Sequence, residues 1–157
     1  MAIEKNDNDS MALASGIAAF EAKNFAQSLG LLGPIADQGN VDAQYRLAIM
    51  YQNGLGVVRN ELLATKWMIA AANQGFALAQ HGLGFMYMEG DCVNKNGVKA
   101  VNWFKKAAEQ GLVGSLTTLA MMYEMGNGVD KDMEEAKKWY KLAGFSEDEM
   151  NLGQRLS

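Results

Sequence analysis

Tryptophans at positions 67, 103 and 139 recur at a strict interval of 36 residues, and no other feature of the sequence limits its possible folds so severely. The same interval links Tyr51, Tyr87 and Tyr123, and also Leu47, Leu83 and Leu119. Two glycine sets keep the step, Gly39, Gly75 and Gly111, then Gly54, Gly90 and Gly126. So do Ala64, Ala100 and Ala136, and Ala71, Ala107 and Ala143. A fixed period of this length marks stacked supersecondary units, none of which can bury its apolar face alone.

Each period divides into two amphipathic helices. The first spans about Asp42 to Gln52 and carries Ala43, Leu47, Ala48 and Tyr51 on one face. Asn53-Gly54-Leu55-Gly56 breaks it, glycine supplying the left-handed conformation that ends a helix. The second spans about Asn60 to Gln74, with a stripe of Leu63, Ala64, Trp67, Ala70 and Ala71; Gly75 stops it, and the next first helix begins near Ala77. Neither helix is long enough to persist alone in water, so stacking must supply the stability. Pro34 is the chain's one proline, and many of its 17 glycines fall at the breaks rather than within helices. Alanines at 43, 64 and 71 and their equivalents let helix axes approach closely and leave room for each Trp. Ser115 replaces Ala43 and Ala79, small for small.

The pattern Ala43-x-x-x-Leu47-Ala48-x-x-Tyr51-x-x-Gly54-x-Gly56-Val57, then Ala64-x-x-Trp67 and Ala70-Ala71-x-x-x-Gly75, resembles the Sel1-like repeat, a relative of the tetratricopeptide repeat. Three full copies span residues 41–76, 77–112 and 113–148. The resemblance implies one all-α solenoid over residues 1–157, a right-handed superhelix of stacked antiparallel helix pairs that serves as a scaffold or adaptor for other proteins.

Both ends depart from the pattern. Residues 10–40 read as a divergent first helix pair: the period puts Leu31 where a Trp belongs and Ser15 where a Tyr belongs, while Ala36 and Gly39 fit. Pro34 falls in the second helix of that pair, where it should kink the helix or remove one hydrogen bond. Ser146-Glu147-Asp148-Glu149 is a capping box that opens a terminal helix over 146–156, and Met150 with Leu152 or Leu156 should cover the last apolar stripe. In the middle copy Cys92 stands where the others have Gly56 and Gly128. If that position needs positive φ, a side chain there costs about 1–2 kcal/mol. Otherwise the turn is locally different, and its thiol inert.

The residues argue against chemistry. A net charge of −4 and a pI near 5.0 give no basic field for nucleic acid. No apolar run approaches the roughly 20 residues that span a membrane. His81 is the only histidine and Cys92 the only cysteine, so neither a His/Cys zinc set nor an intramolecular disulfide can form. Gly82-Leu83-Gly84 lies mid-helix with no Lys-Ser or Lys-Thr after it, so it is not a phosphate loop. Asp91 to Gly97 and Asn127 to Glu135 lack the ligand alternation of a calcium loop. Asp130 and Asp132 instead suit a helix start, and Glu134-Glu135 with Lys137-Lys138 suits a solvated helix face. The expectation is no enzyme, no catalytic residue, no cofactor and no metal. Some relatives are cysteine-stapled; this chain lacks those cysteines, and activities of that branch do not transfer to it. Met1 to Ser10 is polar and lacks the apolar core of a signal peptide, which favours a cytoplasmic protein. A periplasmic or secreted chain whose leader was removed is the alternative.

The resemblance also directs attention to the first helices, which line the concave groove in tetratricopeptide-like stacks. Their non-packing positions read Asp42, Tyr45, Ile49, Gln52 and Asn53; then Leu78, His81, Phe85, Met88 and Glu89; then Gly114, Thr117, Met121, Glu124 and Met125. The track Ile49, Phe85 and Met121 is wholly apolar, and Tyr45, Leu78, His81, Met88 and Met125 widen it. Such a strip fits an extended segment or amphipathic helix of a peptide or protein partner, and flexible methionines suit varied side chains. The same strip would also serve as core between neighbouring repeats, lie under a terminal helix, or form the interface of a self-associating structural protein, leaving the chain a monomer or a weak homo-oligomer. Met50, Met86 and Met122, each beside a repeated Tyr, read as packing residues.

Overall fold

Each repeated second helix starts on the same side-chain cap, and each repeated first helix stops on the same backbone turn. Asn60 and Asn96 accept hydrogen bonds through their side-chain oxygens from Leu63 N and Lys99 N, both at 3.0 Å. Asp132 does the same for Glu134 N and Glu135 N at 3.1 and 3.0 Å. A short oxygen-bearing side chain at this point satisfies amides that no helical carbonyl can reach. At the end of each first helix, Gly54, Gly90 and Gly126 adopt φ of 64°, 71° and 70°. This turn lets Leu55 N, Asp91 N and Asn127 N reach back to Met50 O, Met86 O and Met122 O at 2.9–3.0 Å. One further bond closes each loop, from Asn60, Asn96 and Asp132 N to Tyr51, Tyr87 and Tyr123 O.

The computed structural model describes the backbone of residues 2–155 and the side chains of residues 7–151. Among them are nine helices and no strand: α1 (Ala2–Glu21), α2 (Phe25–Asp37), α3 (Val41–Asn53), α4 (Glu61–Asn73), α5 (Ala77–Glu89), α6 (Gly97–Glu109), α7 (Val113–Met125), α8 (Met133–Leu142) and α9 (Glu147–Arg155). The fold is all-α, with consecutive helices packed as pairs, as an α-solenoid requires. The contacts group the chain into two compact units, Met1–Ala79 and Gln80–Ser157.

In the first unit α1 packs on α2, α3 on α4, and α2 joins the pairs through α3. Its core comprises Leu32, Ile35, Leu47, Met50, Trp67 and Met68, interleaved with buried alanines including Ala43, Ala48, Ala64 and Ala71. In the second unit α6 packs on α7 and α7 on α8. There Val101, Phe104, Leu116, Leu119, Met122 and Trp139 form the buried centre, with Tyr87, Met88 and Tyr123 packed against it. Met50, Met86 and Met122 are all buried, as packing residues should be.

The first pair departs from the expected register. A Cβ on Gly16 would collide with the Leu32 side chain, and one on Gly84 would come within 2.7 Å of the Phe104 ring. These facing pairs lie 16 residues apart in the first case and 20 in the second. Three residues, 22–24, join α1 to α2, whereas seven, 54–60, join α3 to α4. The first loop is therefore four residues short, with Lys23 at φ 63° making its turn. Back-projection by 36 holds for α2 but not for α1, so Ser15 is not the equivalent of Tyr51; on the shifted register that place falls to Ala19. Helix α1 also begins well before residue 10. Helix α2 continues through Pro34, whose nitrogen has no hydrogen to donate to Gly30.

At the far end α8 has 10 residues where α4 and α6 have 13. Gly144, at φ 99°, ends it three residues before the place one period beyond Gly111. Ser146 and Glu149 then form the reciprocal capping box: Ser146 N donates to Glu149 Oε2 at 2.7 Å, and Glu149 N to Ser146 Oγ at 3.3 Å. Hydrogen bonding from the Ser146 backbone first, and then from its hydroxyl, holds the Glu149 carboxyl below its ordinary range. The side chains of Leu152 and Leu156, expected to cover the last stripe, lie outside the described residues.

Cys92 has φ 62°, beside 66° for Gly56 and 72° for Gly128, so the middle turn is not locally different. The left-handed conformation is kept, and a side chain is held in it. The two glycines answer a second demand as well. A Cβ on Gly56 would lie 2.5 Å from Ala26 N, and one on Gly128 would strike the Gly97 carbonyl. At both places the turn presses on the start of the preceding second helix. Gly128→Ala should therefore cost more than about 2 kcal/mol, combining the conformational penalty with a backbone collision. Gly75→Ala, with open space around it, should cost only about 1–2 kcal/mol, and Cys92→Gly should stabilise by about 1 kcal/mol. Urea unfolding midpoints of the three variants test this order.

Candidate partner-binding face

The first helix of each pair buries one side and leaves a narrow strip on the other. In α3 the buried side is Ala43, Gln44, Leu47, Ala48 and Met50; in α7 it is Ser115, Leu116, Leu119, Ala120 and Met122. The expected binding positions lie on the opposite strip, and their surroundings differ between the units.

In the first unit Tyr45 is half-buried and meets Phe76 edge to face at 5.2 Å between ring centroids. Burial raises its phenol pKa, and the Arg46 charge partly offsets that rise. Ile49 is half-buried, while Leu78 is 42% exposed. Arg46 is pinned beside them by Asp42 at 3.2 Å and Glu21 at 3.8 Å, with its guanidinium over the Phe20 ring.

In the second unit His81 stands in an aromatic cluster. Its ring centroid is 4.8 Å from that of Phe85 and 5.5 Å from that of Phe104, and Phe85 meets Phe104 at 5.1 Å, all edge to face. Its Nδ1 is 2.7 Å from the Ser115 hydroxyl on α7. Burial, without help from any charged neighbour, holds the imidazole below its ordinary 6.5. Phe85 remains 37% exposed, Met121 44% and Met125 63%. Met88 turns toward the buried centre of the unit. Glu124, one turn from Met121, accepts a 2.7 Å hydrogen bond from the Tyr140 hydroxyl. Burial first, and then that carboxylate, push the Tyr140 pKa well above its usual range. The open apolar positions of the second unit are thus Phe85, Met121 and Met125, while His81 and Met88 are engaged in packing.

Two features escape a reading limited to apolar periodicity. Ser115 is more than a small residue, because its buried hydroxyl is satisfied by His81. Gln44 and Gln80, 36 residues apart, are buried and paired with Gln74 and Gln110, also 36 apart. Gln74 Nε2 donates to Gln44 Oε1 at 2.7 Å, and Gln110 Nε2 to Gln80 Oε1 at 2.8 Å. The recurrence of these glutamines was visible in the sequence; their pairing was not. Among the described residues, no three His, Cys, Asp or Glu side chains converge as metal ligands, and no helix is long and apolar enough to cross a membrane.

A family model described as Sel1 repeat matches residues 41–76, 77–112 and 116–144. Among solved structures, a Sel1 repeat protein from Oxalobacter formigenes is 37% identical over 83% of this chain and 54% of its own, with a TM-score of 0.79. The protein c5321, a protective antigen present in uropathogenic Escherichia coli strains and displaying an SLR fold, is 38% identical over 73% of this chain and 25% of its own, at 0.72. Helicobacter pylori cysteine rich protein B shares the fold alone, at 19% identity and 0.61, with 83% of this chain and 96% of that one covered. The chain thus spans about half the length of the first of these and a quarter of the second. No curated protein matches it.

His81 ties the aromatic cluster to pH. Its folded pKa is depressed, so its contribution to stability is full above 6.5 and is lost as pH falls through the folded value. Between pH 7 and pH 5 the wild-type chain should lose more stability than His81→Gln, which shares every carboxylate with it. Ser115→Ala should cost about 1 kcal/mol at pH 7 by removing the hydrogen bond. Thermal melts of both variants across that range give the comparison.

Proposed function

Starting from the fact that this chain belongs to the Sel1 repeat family, whose members generally act as non-catalytic scaffolds for protein–protein interaction, we propose that it captures a peptide or protein segment on the open strip of its first helices. The observation that carries this reading is the exposure of Phe85, Met121 and Met125 on α5 and α7. Adjacent residues of the same helices, Leu83, Met86, Leu119 and Met122, are fully buried. Large apolar side chains left partly open lose water favourably when a partner covers them, each contributing a fraction of the about 1.5–3 kcal/mol that burying a fully exposed one yields.

The chemistry of the strip fits an amphipathic helix or extended apolar segment. Phe85 offers a ring edge held in place by Phe104 and His81, a rigid anchor that loses little entropy on binding. Met121 and Met125 lie one helical turn apart on α7 and can adapt to the partner's shape. In the first unit the half-buried Ile49 and the exposed Leu78 extend the same logic. Residence in the cytoplasm is part of this proposal, and an interaction between copies is its competitor.

Met121→Glu should leave the far-UV helix signal and melting temperature close to those of wild type, whereas Phe85→Glu should keep the helix signal but lower the melting temperature by a few degrees, because it loses its edge-to-face contacts with Phe104 and His81. Combined, they should reduce capture of the proteins retained from lysate by at least tenfold. Unchanged capture by the double variant sinks the assignment of this strip. Light scattering over a range of concentrations separates the competitor, since association between copies would raise the mass of the wild type and not that of the double variant.

A further inference from the structure

The outer face of α6 carries a concentration of positive charge that a chain of net charge −4 does not lead one to expect. Lys99, Lys105 and Lys106 all lie on this helix and are exposed. Some cations elsewhere meet carboxylates, as Arg46 does Asp42, Arg59 Glu61 and Lys138 Glu135, and Lys66 and Lys138 also lie over the rings of Trp67 and Trp139. Among the described residues the three α6 lysines pair with none. Two of them lie over aromatic rings instead: Lys106 Nζ is 4.6 Å from the Trp103 ring centroid, and Lys99 Nζ is 5.3 Å from that of Tyr87.

Those rings and lysines line one open hollow in the second unit, completed by Asn102 and Glu109. Trp103 is half-buried there, whereas its equivalents Trp67 and Trp139 are buried. Of the three repeated tryptophans, Trp103 alone is not buried. The middle copy also differs in charge: α6 carries three lysines and one glutamate, α4 one of each sign, and α8 three lysines and two glutamates. An ammonium held over an aromatic ring keeps its outward side free for a carboxylate, and the part of the ring it does not cover stays available to an apolar group.

We propose that this hollow is a second docking surface, on a different helix from the apolar strip, and that it takes an acidic peptide segment bearing an aromatic residue among its carboxylates. The lysine rim supplies the charge complement and steers the encounter; Trp103 and Tyr87 form the floor on which the aromatic residue rests. Glu109 is the lining's only carboxylate, placed at the C-terminal end of α6 where it limits the approach of acidic groups from that side. Nucleic acid is disfavoured because the rest of the chain carries excess negative charge, which repels an extended phosphate backbone.

The probe is a capped synthetic peptide of about eight residues, rich in Asp and Glu with one central Phe, titrated while tryptophan emission and heat are recorded. Saturable binding that weakens with added salt is expected. Lys99→Gln/Lys105→Gln/Lys106→Gln should weaken it at least tenfold without changing the melting temperature by more than a few degrees. Trp103→Phe, which keeps a ring in the floor, should retain binding by heat while losing the emission change. Phe85→Glu/Met121→Glu should bind the probe as the wild type does, which separates this surface from the apolar strip. The proposal is overturned if binding is absent, if the Asn/Gln version of the peptide binds equally, or if the triple variant binds as the wild type does. It is equally overturned if an oligothymidine binds as tightly, or if the triple lysine change abolishes self-association of the wild type.

Discussion

The close approach of the two helices in a pair, a buried alanine or glycine facing a large side chain, is the contact on which the rest of the molecule depends. Gly84 leaves the room that the Phe104 ring occupies, and Gly16 does the same for Leu32. Glycine inside a helix costs about 1 kcal/mol relative to alanine. That cost is offset when its absence of a Cβ admits a fully buried ring. Phe104 then reaches far enough to hold both His81 and Phe85 edge to face. The open ring edge of the proposed binding strip is therefore set by the glycine next to it on the same helix.

The loops carry a second close approach, between one copy and the next. Gly56 and Gly128 adopt positive φ, and each also touches the backbone at the start of the preceding second helix. A single residue type meets both demands, which is why the turn recurs with so little variation. Cys92 shows that the conformational demand alone can be borne by a side chain. The glutamine pairs add polar specificity to the same stacking, because a slip in register would take the partners Gln74 and Gln110 away from the buried amides of Gln44 and Gln80.

Variation is concentrated where packing allows it. The middle copy replaces a tyrosine position by His81, a second alanine by Gly84 and a turn glycine by Cys92, and leaves Trp103 half-buried. Scaffold proteins gain distinct surfaces from near-identical units in this way, since the residues that stack are held constant and those facing outward are not. In this chain the second unit presents an apolar strip on its first helices and a basic aromatic hollow on α6. Both rest on the same buried centre of Phe104, Leu119 and Trp139.

The sequence by itself determined the period, the helix pairs, the break positions and the family. Each of these follows from local chemistry repeated at a constant interval: apolar spacing, capping side chains and glycines that turn the chain. It could not determine the loop shortened by four residues before α2 or the early end of α8, because a strict period assumes equal loop and helix lengths, and here Ser15 and Glu147 fall out of register. Nor could it tell which strip residues stay open. His81, Phe85 and Met88 share one helix face, yet one is bonded to Ser115, one is exposed and one turns inward. Those differences depend on which neighbour each side chain meets across the stack, and only the tertiary structure decides that.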